Sequence, residues 1–117
     1  MENIRDIAIQ VIDNEANSIL GLKHLLTEDF TKVVELIYNS KGNVIVSGIG
    51  KSANIGQKIV ATLNSTGTTA VFMHAADAIH GDLGIIRDDD VVVIISKSGE
   101  TPEIKVLLPL TKIRKNK

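Results

Sequence analysis

Two short turns constrain the fold of this sequence more than any other feature. Gly48-Ile49-Gly50-Lys51-Ser52 follows the β-branched run that starts at Val44, and Ser96-Lys97-Ser98-Gly99-Glu100-Thr101 follows Val91 to Ile95; a helical pattern opens after each. A strand that turns sharply into a helix presents backbone N–H groups without intrahelical partners and the positive end of the helix dipole. Glycine lets a ligand approach the main chain there, and hydroxyls add donors that rotate toward an oxyanion. One such turn is ordinary. Two that converge on one ligand point to a phosphorylated small molecule.

The 117 residues carry a net charge of -1, no cysteine and only three aromatic side chains, one tyrosine and two phenylalanines. This describes one soluble α/β domain with an aliphatic core. Nucleic acid is not expected as a partner, because neither end carries a basic block able to neutralise several phosphates; the tail from Lys112 to Lys117 reads as the last turn of a helix, where cations suit the dipole. There is no charged leader followed by an apolar stretch, and no apolar run near the ~20 residues that span a bilayer, so secretion and membrane insertion are not expected. The lack of cysteine fits a reducing cytoplasm.

Along the chain, Ile4, Ile7, Ala8, Val11, Ile12, Ala16, Ile19 and Leu20 recur at spacings of three and four, which predicts an amphipathic helix to about Leu26. A second helix starts after Thr27, an N-cap followed by Glu28 and Asp29, buries Phe30, Val33, Val34 and Ile37, and ends at Ser40-Lys41-Gly42. The α/β core then runs from 43 to 117. It holds a strand at Val44 to Ser47, a helix from Ser52 with Ile55, Ile59, Val60 and Leu63 inward, and a strand from Thr69 to Met73. His74 to Gly84 reads as a functional loop, Asp88-Asp89-Asp90 as a polar turn, and Val91 to Ser96 as the most apolar strand. Thr101 is expected to cap the last helix, with Pro102 at its first position and a kink at Pro109. Strand, helix, strand, loop, strand, helix is a doubly wound parallel pattern. Because Val91 to Ile95 is apolar on both faces, three strands leave it an exposed edge that further strands must cover; another subunit could supply them, but an α/β alternation that stops directly after a helix reads as the front portion of a domain, incomplete at its C-terminus.

The stretches Ser47 to Ser52, His80-Gly81-Asp82-Leu83-Gly84 and Ser96 to Thr101 together resemble the sugar isomerase (SIS) domain, in its arabinose-5-phosphate isomerase branch. Lys51 directly after the first glycine turn, combined with the His-Gly-Asp-Leu-Gly run, carries the branch assignment, and the likeness covers 43–117. It implies a flavodoxin-like fold, a cytoplasmic homotetramer, no required cofactor, and reversible conversion of D-ribulose 5-phosphate to D-arabinose 5-phosphate for synthesis of the lipopolysaccharide or capsule sugar Kdo. It also implies acid/base residues and, in longer members, paired cystathionine-β-synthase-type regulatory domains beyond residue 117.

Aldose to ketose isomerisation needs a phosphate anchor, an acid/base to open the ring, and a carbon base working through an enediol whose oxygens are stabilised. Gly50, Ser52, Ser96, Lys97, Ser98 and Thr101 are the candidate phosphate-binding residues, although Ser52 and Thr101 also suit plain N-caps. Lys51 stands at the carboxyl end of the first strand, where it neutralises phosphate or polarises the enediolate oxygen, or else is simply solvated. His80 is the candidate for ring opening or for carrying a proton between oxygens, and a candidate sugar contact, or else is a loop histidine bonded to the backbone. Glu103 is the candidate carbon base; Glu100, inside the shared turn signature, is its rival and is assigned to bracing the turn.

Gly67 and Thr68 read as a helix C-cap and strand entry at the far end of the sheet. By resemblance they lie near the sugar of a neighbouring subunit, and His74 marks a position that takes an inhibitory zinc ion. A required metal is not expected from one histidine and no cysteine. Two other readings stay open: a non-catalytic phosphosugar sensor, which needs the serine turn but not Lys51, His80 and Glu103 together, and an isomerase of a different phosphosugar. A dinucleotide-binding turn is set aside, since Ala53 and Asn54 stand where its last glycine belongs and no acidic residue ends the second strand.

Overall fold

The computed structural model describes residues 3–113, so the end of the basic tail lies outside the described residues. Two compact units are present, divided between Glu35 and Leu36.

In the first unit, α1 spans Ile4–Gly21 and starts where the Asn3 side chain accepts the Arg5 N–H at 3.1 Å. The helical stretch expected to reach Leu26 tightens instead into a 3₁₀ turn at Leu22–Leu25, and Leu26 is extended. Helix α2, Glu28–Tyr38, runs through the division at Leu36 and carries Glu28 and Asp29 in its first turn as expected. Its stripe is less covered than its periodicity implied: Phe30, Val33 and Val34 stay about half exposed, since nothing within this unit buries them.

The second unit is a doubly wound α/β layer. Strands β1 (Val44–Gly48), β2 (Ala70–His74) and β3 (Val91–Ile94) form a parallel sheet in the order β2-β1-β3. Val44 lies opposite both Ala70 and Val91, so the strands start level. Every residue of β1 is buried. One face of the sheet, through Val44, Val46 and Ala70, packs with Val60 and Leu63 of α3 (Lys51–Ser65). The other, through Ile45 and Met73, packs with Ala75 and Ala78 of α4 (Ala75–Ala78) and with Ile104 and Leu107 of α5 (Pro102–Ile113). Strand β3 is half-buried and has no outer neighbour among the described residues, in keeping with the expected need for cover.

Three expectations are corrected here. Helix α3 begins at Lys51, not Ser52, and turns Ala53 and Gly56 inward in place of Ile55 and Ile59, which are 58% and 38% exposed. Small residues let the helix sit close: a Cβ on Gly56 would lie 3.0 Å from the Phe72 ring and 3.2 Å from Val46 Cγ1. The stretch after β2 is not an open loop but α4 followed by a 3₁₀ turn at Asp82–Ile85. Finally, β3 ends at Ile94, although the Ile95 N–H still donates to the Ser47 carbonyl at 2.9 Å. Pro109 lies inside α5, where it withdraws one backbone donor.

Candidate functional site

In a parallel sheet with helices on both faces, ligands bind beyond the carboxyl ends of the strands, where the connections leave. The connections leaving β1, β2 and β3 carry Lys51, His80 and Ser96 to Thr101 respectively.

At the first turn, Gly50 has φ 58° and ψ −128°, a conformation closed to side-chain-bearing residues, and its carbonyl accepts the Ala53 N–H at 3.1 Å. The chain therefore enters α3 with the Lys51 and Ser52 N–H groups free of intrahelical partners. Gly50 holds the N-cap position and Ser52 is the second helical residue, so capping is not what Ser52 does here. Lys51 is exposed at the helix start, where its cation adds to the dipole.

The second turn is held by its own hydroxyls. Ser96 Oγ accepts the Gly99 N–H at 2.9 Å and Ser98 Oγ accepts the Glu100 N–H at 3.2 Å. Each serine oxygen accepts a backbone N–H, and its O–H proton is not needed for that bond. Gly99, at φ 69°, makes the reversal between them. Lys97 is exposed beside them. Thr101 stands at the start of α5, its carbonyl accepting the Lys105 N–H at 3.0 Å. The expected side-chain cap is absent: Thr101 Oγ1 is buried and has no hydrogen-bond partner among the described residues.

The two glutamates differ in their surroundings. Glu100 forms an ion pair with Lys105, bridging the turn to the next turn of α5. Glu103, half-buried in the first turn of α5, makes no ion pair among the described residues.

On the β2 connection, His74 Nδ1 accepts the Ala76 N–H at 3.2 Å and so caps α4. With Nδ1 accepting, Nε2 of the neutral ring carries the proton. No three His, Asp or Glu side chains gather as a metal site among the described residues, and His74 alone does not make one. His80 is exposed just after α4, its backbone N–H donating to the Asp77 carbonyl at 2.9 Å.

Gly67 and Thr68 are not brought to this edge. Gly67, at φ 94°, and Thr68, whose N–H donates to the Leu63 carbonyl at 2.9 Å, close α3 as a C-cap at the amino end of the sheet. There they line a cleft of about 340 Å³ with Ile37, Tyr38, Lys41 and Thr69.

Two residues escaped the sequence reading. Asp90, taken as part of a polar turn, is 1% exposed and accepts the Asn43 and Arg87 N–H groups at 2.7 and 2.8 Å. Ser47, taken as plain strand, is fully buried and its hydroxyl has no partner among the described residues. Nothing local in the sequence marked either side chain for burial.

Comparison with known proteins agrees with this arrangement. Residues 36–117 match the SIS domain. The chain is 49% identical over 105 residues to the arabinose 5-phosphate isomerase KdsD of Pseudomonas aeruginosa, covering 90% of this chain and 32% of that protein. It is 52% identical over 90 residues to the arabinose 5-phosphate isomerase KpsF of Escherichia coli O6:H1, covering 77% of this chain and 28% of that protein. It thus spans about a third of the length of the curated relatives it matches. A structure of an Escherichia coli CFT073 protein in complex with arabinose 5-phosphate superposes with a TM-score of 0.86 at 37% identity, over 97% of this chain and 62% of that one. With two hydroxyl-bearing helix entries at one edge of a doubly wound parallel sheet, and a family match over most of its length, the chain belongs to the SIS domain family.

Proposed function

We infer that this chain forms the phosphate-binding part, and much of the acid/base part, of an arabinose 5-phosphate isomerase. The observation that supports the reading is that Lys51, His80, Glu103 and the serine turn all follow the carboxyl ends of strands in one parallel sheet. The names of the relatives at 49% and 52% identity support the same substrate.

In the proposed reaction the two helix entries anchor the phosphate of D-ribulose 5-phosphate through Gly50, Ser52, Ser96, Lys97, Ser98 and Thr101. Glu103 removes a proton from C1 and returns it to C2. The electron pair left at C1 forms the enediolate, whose oxygen Lys51 stabilises, and protonation at C2 yields the aldehyde of D-arabinose 5-phosphate. His80 moves the hydroxyl proton from O1 to O2 and assists ring closure. No organic cofactor or metal takes part; an inhibitory zinc ion at His74 would bind Nδ1 by displacing the Ala76 N–H, or Nε2 once that nitrogen has lost its proton. The enzyme works as a cytoplasmic homotetramer supplying Kdo synthesis, with Gly67 and Thr68 reaching a neighbouring subunit's sugar.

The test is direct conversion of D-ribulose 5-phosphate by the full-length protein, followed by NMR. Formation of D-arabinose 5-phosphate is expected. Tight binding of the sugar phosphate with no isomer formed would identify a sensor instead, and conversion of another phosphosugar alone would change the substrate.

A further inference from the structure

Two buried hydroxyls without partners occupy the same layer of the molecule. Ser47 is the inward position of β1 two residues beyond Ile45, and strand alternation puts both on the face that packs against α4 and α5. Thr101 precedes Ile104 by three residues, which places it on the inward stripe of α5 with Ile104 and Leu107. Ile45 and Ile104 belong to one apolar cluster. From that shared level, Ser47 is about 6.6 Å further along its strand, and Thr101 is about 4.5 Å further along its antiparallel helix toward the same edge. Each side chain has a buried hydroxyl that no described residue satisfies, and in this structure the two are not bonded to each other. A buried hydroxyl without a partner costs free energy unless something completes it.

We propose that Ser47 is a positioning residue for the phosphate site, acting through Thr101. In the liganded protein the Ser47 hydroxyl donates to Thr101 Oγ1, and the Thr101 hydroxyl donates to a phosphate oxygen. Each hydroxyl is both donor and acceptor, so filling the Thr101 acceptor from below turns its single proton outward and strengthens its bond to the anion. Ser47 itself is 0% exposed and does not touch the ligand. The proposal rests on the phosphate-site reading of the two helix entries.

The experiment measures inorganic phosphate binding by calorimetry in the full-length protein, with thermal unfolding of each variant alongside. Ser47→Ala is expected to weaken phosphate binding roughly threefold to tenfold, the span of one neutral hydrogen bond. Its unfolding temperature should hold or rise, since an unsatisfied hydroxyl has been removed. Thr101→Val is expected to weaken binding further, and adding Ser47→Ala to it to change nothing more; in Thr101→Ser, which keeps the hydroxyl, Ser47→Ala should again matter. Wild-type affinity in Ser47→Ala, or an undiminished loss in the Thr101→Val background, overturns the proposal while leaving the phosphate site standing. Failure of the wild type to bind phosphate, with Ser98→Ala indistinguishable from it, overturns the phosphate site and this proposal together.

Discussion

Asp90 Oδ1 accepts the backbone N–H of Asn43 at 2.7 Å, joining the residue that precedes β3 to the residue that precedes β1. Its second oxygen takes the Arg87 N–H at 2.8 Å, so one carboxylate closes the turn and levels two neighbouring strands at their amino ends. The residue is almost wholly buried, and its loss would strand two backbone donors. Asp90→Ala is therefore expected to destabilise the fold by about 2 to 5 kcal/mol. Urea unfolding monitored by circular dichroism measures it, and a change under about 1 kcal/mol would remove Asp90 from the account of strand alignment.

Ser98 Oγ accepts the Glu100 N–H, and in the proposed site its proton is donated to the phosphate. Ser98→Ala should weaken binding of the phosphosugar by about 1 to 3 kcal/mol, the range for hydrogen bonds to a charged group. Calorimetric titration with substrate or inorganic phosphate reads the change, and unaltered affinity would mean that anions bind elsewhere.

Glu100 is held by Lys105 while Glu103 has no such tie, and the two should separate in a solvent-exchange assay. In the full-length protein, Glu103→Gln is expected to lose ~10²- to 10⁴-fold in turnover, with phosphate affinity retained. Glu100→Gln removes one exposed ion pair and should cost under about 1 kcal/mol in stability, with little effect on turnover. Deuterium wash-in at the substrate carbon decides between them: if Glu103→Gln exchanges normally and Glu100→Gln does not, the roles are reversed.

Gly56 brings α3 against Phe72 and Val46. Gly56→Leu must push the helix off the sheet and should cost about 1 to 3 kcal/mol or more. Because α3 begins at Lys51, the same displacement should lower activity. Denaturation and turnover measured on one preparation check both effects, and a fully stable, fully active Gly56→Leu would contradict the close approach.

The alternation of strands and helices was legible because β-branched runs and capping turns are local signals, and the two glycine-bearing turns into α3 and α5 were legible for the same reason. What escaped depends on distance between residues far apart in sequence. Periodicity counted Ile55 and Ile59 inward because they are large; the structure instead buries Ala53 and Gly56, since closeness to Phe72 selects small residues. The stretch from His74 looked irregular because a four-residue helix is too short to show a period, yet the His74 imidazole starts it by accepting the Ala76 N–H. Asp90 and Ser47 read as turn and strand, since nothing local marks which polar side chain becomes buried. Thr101 holds the helix-start position expected of it, while its hydroxyl makes no cap.

The position of the Gly67 turn bears on how activity depends on protein concentration. Strand β2 separates Thr68 from His74, six residues apart or roughly 20 Å in extended chain, so one copy cannot close both ends of its sheet around a single five-carbon sugar. If Gly67 and Thr68 serve the reaction, each working site is shared between copies. Specific activity should then fall on dilution below the dissociation constant of the assembly, and two inactive variants, one altered at Thr68 and one at Glu103, should restore turnover when mixed.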